Sequence, residues 1–310
     1  MFLPNGGWLT EKICRILASC SDIDVNDTLI ASTGKVGEPL TLIPFENGIP
    51  NLVKGLSDLE EGSFFAAEGI ATTDKTVKQL AFQFELGDFS CRIGAIFKGT
   101  TQVCPNMATT LAFLTTDVNI SSEMLQKALS TVVRDTFNMI DADGVSSPND
   151  TVCIMANGKA GNYKISNEDT EYAKFVYILR EVMTELCKRI VKDGVCRTLV
   201  CKTQGAKSKQ LARAIAKNTV GMQRTKRLFC ENFDIANILY GINSIFQDVD
   251  FSKARIAISA NEKTFVLFDE GRRLSLKGES IDFLNEENEL ILTIDLGVGN
   301  YTATAFGRLE

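Results

Sequence analysis

Residues 97–117 concentrate the side chains able to do covalent chemistry. The run reads Phe97-Lys98-Gly99-Thr100-Thr101-Gln102-Val103-Cys104-Pro105-Asn106-Met107-Ala108-Thr109-Thr110-Leu111, then Ala112-Phe113-Leu114-Thr115-Thr116-Asp117. An apolar, strand-like segment from Arg92 to Phe97 delivers a lone lysine to a loop of hydroxyls with a Pro-Asn step. A small residue then stands beside threonine at Ala108-Thr109, ahead of a second apolar run. A lysine, a small residue and a hydroxyl nucleophile at the mouth of a sheet suit covalent acyl chemistry. The same residues also describe a Pro-Asn turn between two buried strands, and spacing alone leaves both readings open.

The chain contains no histidine. A Ser-His-Asp or Cys-His arrangement is therefore excluded, and so is a zinc site with histidine ligands. A hydroxyl that attacks here needs another base. An N-terminal threonine has one in its own α-amine, whose ordinary pKa of about 7.7–8.0 lies close to neutral pH. That requires a break in the peptide bond before the threonine. Ala108-Thr109 has the steric profile for it, with Thr110 a rival by one residue.

The segment resembles the nucleophile motif of the ornithine acetyltransferase (ArgJ, glutamate N-acetyltransferase) family, self-cleaving enzymes of arginine biosynthesis. Lys98, Gly99, Pro105, Asn106, Met107, Ala108, Thr109 and Leu111 match that motif at the same offsets. Further stretches agree in order: Ser32-Thr33-Gly34-Lys35-Val36-Gly37, Ala67-Glu68-Gly69-Ile70-Ala71-Thr72-Thr73-Asp74, Asp143-Gly144 with Asn149-Asp150-Thr151, and Ala156-Asn157-Gly158. The likeness is strongest over residues 8–220.

The resemblance implies an α/β fold of stacked β-sheets sandwiched by helices, of the DmpA/ArgJ-like N-terminal-nucleophile type, with a smaller C-terminal α/β domain. We expect residues 1–158 to carry the nucleophile and 159–310 to form the second α/β portion. It also implies self-cleavage between Ala108 and Thr109. Thr109 then takes an acetyl group from N2-acetylornithine and passes it to glutamate, with acetyl-CoA a further candidate donor. Thr33 and Gly34 are the implied oxyanion donors, and Thr72 and Lys98 the implied substrate-holding residues. No metal or organic cofactor is implied. The partners implied are the small-molecule substrates and the cleaved α and β chains of a higher oligomer in the cytoplasm, with no nucleic acid and no membrane.

Four departures from the family pattern bear on the pocket. The first helix is expected near the start of this sequence, without the segment that family members carry before it, so an open sheet edge is expected. Where the family shows Asp-Gly-Glu-Gly-Ala-Thr-Lys, this chain has Asp193-Gly194-Val195-Cys196-Arg197-Thr198, with Val195 in place of a substrate-contacting glutamate. An Asp-Pro-Asn-Trp-Gly-Arg-like run is replaced by Asn232-Phe233-Asp234-Ile235-Ala236-Asn237, and the chain ends at Glu310, before the family's last substrate-contacting residues. Two other readings stay open. One is a relative with an altered or inactive pocket, and the other is an N-terminal-nucleophile amidohydrolase that gives the acyl group to water.

Composition sets outer bounds. The 310 residues are 45% hydrophobic, enough for one large or two modest cores. A net charge of -6 argues against nucleic acid or an acidic membrane as a partner of the whole surface. The nine cysteines are odd in number, lie mostly in apolar runs and form no Cys-x-x-Cys pair, so they read as reduced small hydrophobes. No apolar run reaches the roughly 18 residues of a membrane span, and no signal peptide opens the chain.

The positioning elements follow from periodicity. Thr10 is expected to cap a helix bearing Ile13, Ile16 and Leu17, and Ile49, Leu52, Val53 and Leu56 to line a second. Thr28–Ala31 reads as a short strand ending in a glycine-rich turn, Ser32 to Pro39, an oxyanion hole or an ordinary turn. Thr72-Thr73-Asp74 suits either a substrate contact or a cap. Leu80, Phe82 and Phe84, then Phe89, Cys91, Ile93, Ala95 and Phe97, alternate around Gly87-Asp88 as a β-hairpin. Ser121 or Ser122 opens a long helix. Ser166 to Asp169 opens a longer one that ends near Asp193-Gly194. Gly158 to Tyr163 reads as a flexible connector. Asp141 to Gly144 lacks the twelfth-position glutamate of a calcium loop, since Val152 stands there. The basic residues between Lys202 and Arg227 read as a solvated helix face ahead of an anion patch. Gly297-Val298-Gly299-Asn300 reads as a hairpin turn within the final strand pair.

Overall fold

The computed structural model describes residues 6–33, 38–99, 110–141, 149–228, 235–246 and 249–309. Three helices come first: α1 (Gly6–Cys20), α2 (Ile43–Lys54) and α3 (Glu60–Ile70). Helix α1 already includes Thr10, so its hydroxyl donates back to the Gly6 carbonyl at 3.0 Å and does not cap. In α2 only Ile49 is buried; Leu52 faces outward, and Leu56 lies exposed beyond the end of the helix. Thr28–Ala31 forms no strand, because no described strand lies beside it to complete a ladder.

The expected hairpin forms as β1 (Lys78–Leu86) and β2 (Phe89–Lys98), joined through Gly87 at φ 56°. Strand β3 (Leu111–Thr116) pairs antiparallel with β2. After α4 (Ser122–Asp135) and the short β4 (Ile140–Asp141), β5 (Thr151–Ala156) pairs parallel with β3. The first sheet is thus β1-β2-β3-β5. Ser121 caps α4 by accepting from the Met124 amide. Asp169 caps α5 (Thr170–Lys192) by accepting from the Tyr172 amide. The stretch 158–163 is tied down where a loose connector was expected. Buried Asn162 accepts from the Asn119 amide at 2.8 Å and donates to the Asn119 carbonyl at 3.2 Å.

The second sheet is built from β6 (Thr198–Ala206), β7 (Arg255–Ala260), β8 (Lys263–Asp269), β9 (Arg272–Arg273), β10 (Glu289–Asp295) and β11 (Tyr301–Arg308). Its order is β4-β11-β6-β10-β7-β8-β9. Between these strands lie α6 (Lys209–Gly221), α7 (Gln223–Leu228), α8 (Ala236–Ile245) and α9 (Gly278–Glu286). Strands β10 and β11 do not form the expected hairpin. They flank β6, one parallel and one antiparallel to it. The connection must therefore step over the end of β6. Gly297 takes φ 64° there, and a Cβ on Gly299 would stand 2.2 Å from the Ala206 carbonyl oxygen.

Helices α4 and α5 lie between the two sheets. One apolar core joins the first sheet, both helices and the inner face of the second, from Cys91, Ile93 and Phe97 through Phe175, Leu179 and Met183 to Val200 and Phe306. A second core lies on the far face, where Leu199, Cys201 and Leu292 meet Ile215 of α6 and Ile238 of α8. Among the described residues of 1–158, four of the five strands make up the first sheet. The fifth, β4, crosses to the second sheet and pairs with β11. Among the described residues no helix is long and apolar enough to cross a membrane.

Candidate active site

Strand alternation determines which face each lysine takes at the end of the first sheet. Lys78 stands opposite Phe97 in the β1–β2 ladder, on the face that packs against α5. Lys98 follows Ile96 on the other face, the side of α3. Both are buried, Lys78 with 1% of its surface exposed and Lys98 with 5%. Long cationic side chains are held inside only when carboxylates meet them.

For Lys78 one carboxylate comes from four residues upstream and the other from 115 residues downstream. Lys78 Nζ donates to Asp74 Oδ1 at 2.6 Å and to Asp193 Oδ2 at 2.9 Å, where Asp193 follows the last turn of α5. Asp74 Oδ1 also accepts from the Gly99 amide at 2.8 Å, and Oδ2 from the Thr72 amide at 3.3 Å. Asp193 accepts from the Thr76 hydroxyl and the Lys75 amide. Arg308 of β11 closes the far side by donating to the Ile190, Val191 and Asp193 carbonyls. Burial alone would raise both carboxyls. The Lys78 ammonium and the added hydrogen bonds instead hold Asp74 and Asp193 below the usual aspartate value.

On the next two strands, Lys98 is in register with Leu111 and Leu111 with Thr151. Asp150 precedes Thr151, and its Oδ1 accepts from the backbone amide of buried Thr110 in a short hydrogen bond. Its Oδ2 is buried and makes no hydrogen bond among the described residues. Burial pushes the Asp150 carboxyl up to about 6, against the pull of the Thr110 bonds and the Lys98 charge. Burial and the nearby Lys78 charge lower the Lys98 ammonium, while Asp74 and Asp150 draw it upward. Two lysines and three aspartates therefore bracket both ends of residues 100–109.

Of the residues singled out from sequence, Lys98 and Thr110 meet at this sheet end. Thr72 is exposed and joins through its amide. Thr33 lies half-buried in an irregular stretch. Gly34, Ala108 and Thr109 lie outside the described residues. Lys78 carried no site signal in the sequence and Asp193 appeared only at the head of the Asp193-Gly194-Val195 comparison, because their partnership spans 115 positions. Asp150 was visible only as part of the Asn149-Asp150-Thr151 match.

The ArgJ family profile matches residues 4–308. The chain belongs to the ArgJ family. The arginine biosynthesis bifunctional protein ArgJ 1 of Clostridium acetobutylicum is 32% identical over 300 residues, which covers 94% of this chain and 73% of that protein. Its Oceanobacillus iheyensis counterpart is 34% identical over 304 residues, covering 94% of this chain and 71% of the relative. The crystal structure of arginine biosynthesis bifunctional protein ArgJ from Bacillus halodurans aligns with a TM-score of 0.57 at 30% identity, over 63% of this chain and 92% of that one. The mixed α/β architecture of stacked sheets and helices is that of ArgJ.

Proposed function

We propose that this ArgJ chain breaks itself between Ala108 and Thr109 and uses the freed threonine as an acetyl carrier. Family membership makes it an acetyltransferase of arginine biosynthesis. The observation that supports Thr109 as the carrier is the bracket around residues 100–109. Gly99 is held by Asp74 at one end, and Thr110 by Asp150 at the other.

In this reading the Thr109 α-amine takes the proton of its own Oγ as Oγ attacks the acetyl carbonyl of N2-acetylornithine. Thr33 and Gly34 are assigned to the developing oxyanion. Such a donor is worth about 10²–10³ in rate. The C–N bond breaks, ornithine leaves with the proton, and the glutamate amine then attacks the acetyl-Thr109 ester; the ester C–O bond breaks, the amine's proton passes through the Thr109 α-amine back to Oγ, and N-acetylglutamate leaves. Lys98 and Thr72 hold the amino-acid carboxylate. Acetyl-CoA enters as an alternative donor at the same threonine. Residues 1–158 are the nucleophile-bearing portion and 159–310 the second α/β portion. The cleaved chains stay together as an oligomer in the cytoplasm.

Mass spectrometry of the purified chain tests the cleavage, with the expected result two fragments, one beginning at Thr109. A single intact chain whose activity survives Thr109→Ala overturns it. Incubation with N2-acetylornithine, with and without glutamate, tests the transfer. Acetylglutamate is the expected product, and free acetate regardless of glutamate marks a hydrolase.

A further inference from the structure

A cavity of about 370 Å³ opens where α5 parts from the inner face of the second sheet. Helix α5 contributes Arg180, Glu181, Thr184 and Lys188, and the floor includes Lys202 of β6 and Thr304 of β11. The cavity is separate from the Lys78–Asp193 cluster. Neither Lys78 nor Asp193 lines it, and its Arg180 end lies thirteen residues before Asp193, about 20 Å along the helix at 1.5 Å per residue, although Lys188 at the other end is only five residues away.

Its charge is uneven. At the Arg180 end, three cations converge on one carboxylate: Arg180 and Arg213 each at 2.8 Å from Asp135, and Lys209 at 3.3 Å. Arg180 and Lys209 line the cavity and keep 33% and 37% of their side-chain surface exposed, while Arg213 supports Asp135 from outside the lining and Asp135 keeps 12%. Lys209 also donates to the Thr302 carbonyl at 2.8 Å. Lys202 stands in the floor between Thr304 and Thr293 in the ladder, with no ion pair among the described residues. Four cations (Arg180, Lys188, Lys202 and Lys209) and three threonines thus line the cavity with three carboxylates, of which Asp135 is already paired, in a chain whose net charge is -6. Glu289 lies on the β10 strand start, level with Thr198 and four ladder positions from Lys202.

We propose that the Arg180–Lys202–Lys209 end of this cavity is a binding site for a small dianion, carboxylate or phosphate. The volume suits a ligand of metabolite size, and guanidinium forks with an ammonium match planar or tetrahedral oxyanions. This site is independent of the acetyl-transfer reading.

Isothermal titration calorimetry at low salt with inorganic phosphate, and separately with succinate, tests it. Acetate serves as the monoanion control. The expected result is saturable binding of phosphate or succinate that exceeds acetate. Binding should weaken at least tenfold in Lys202→Glu and on raising the salt. The stronger dianion identifies the source. Binding retained in Lys98→Ala separates this cavity from the nucleophile end. No saturable heat with either dianion, equal binding in Lys202→Glu, or loss in Lys98→Ala with retention in Lys202→Glu each overturns the proposal.

Discussion

Lys78 Nζ sits 2.6 Å from Asp74 Oδ1 inside the protein, and each side chain keeps only 1% of its surface exposed. The same ammonium reaches Asp193, so one cation joins the segment before β1 to the end of α5. Lys78→Met leaves two carboxylates buried without their counter-charge. Breaking such a pair costs about 3–5 kcal/mol. A urea titration should show the midpoint falling accordingly, and Lys78→Met with Asp74→Asn should recover part of the loss. An unchanged midpoint in the single variant would show that the cluster contributes nothing to stability.

Acid stability should have two opposing components. Asp74 and Asp193 are held below the ordinary 3.8, so their contribution is complete above that pH and is lost as pH falls through their folded values. Asp150 is raised from 3.8 to about 6. The folded chain holds that proton more tightly, so stability declines as pH rises from 3.8 to 6 and then levels off. Asp150→Asn keeps an acceptor for the Thr110 amide and removes the buried charge. Thermal melts should show it more stable than wild type at pH 7–8, with the difference vanishing near pH 4. A pH-independent difference would contradict the assignment.

Lys98→Ala should leave any cleavage intact and raise KM for the amino-acid substrate. A lost hydrogen bond to a charged group is worth about 1.5–3 kcal/mol, which corresponds to roughly 10- to 150-fold. An unchanged KM removes Lys98 from substrate contact. Burial and Lys78 lower its ammonium, so substrate affinity should also weaken at an alkaline pH below the ordinary 10.5.

Gly299→Ala should destabilise by more than about 2 kcal/mol, because the new methyl meets backbone on the far side of a fixed crossing. Gly278→Ala, where the added carbon meets open space, is the control and should shift the melting temperature little.

The local grammar of the chain was legible. Period-2 alternation placed β1 and β2, and the Ser121-Ser122 and Ser166–Asp169 stretches announced α4 and α5, because pleat and cap chemistry act over a few residues. Failures came where a distant partner decides. Thr28–Ala31 has strand-forming residues but no neighbouring strand. The glycines after β10 look like a hairpin turn, yet β6 lies between the strands they join. The candidate site shows the same division. Lys98 could be read from its offset to Thr109. Its framing by Lys78, Asp74, Asp193 and Asp150 required four segments to converge, and no spacing rule encodes that.

Strands β2 and β3 are hydrogen-bonded neighbours, in register from Ile93 with Thr116 to Lys98 with Leu111. Severing the polypeptide anywhere between them would therefore change the number of termini without freeing either piece. Under native conditions the nicked molecule should migrate as the intact one does, and only a denaturant should reveal that it consists of two polypeptides.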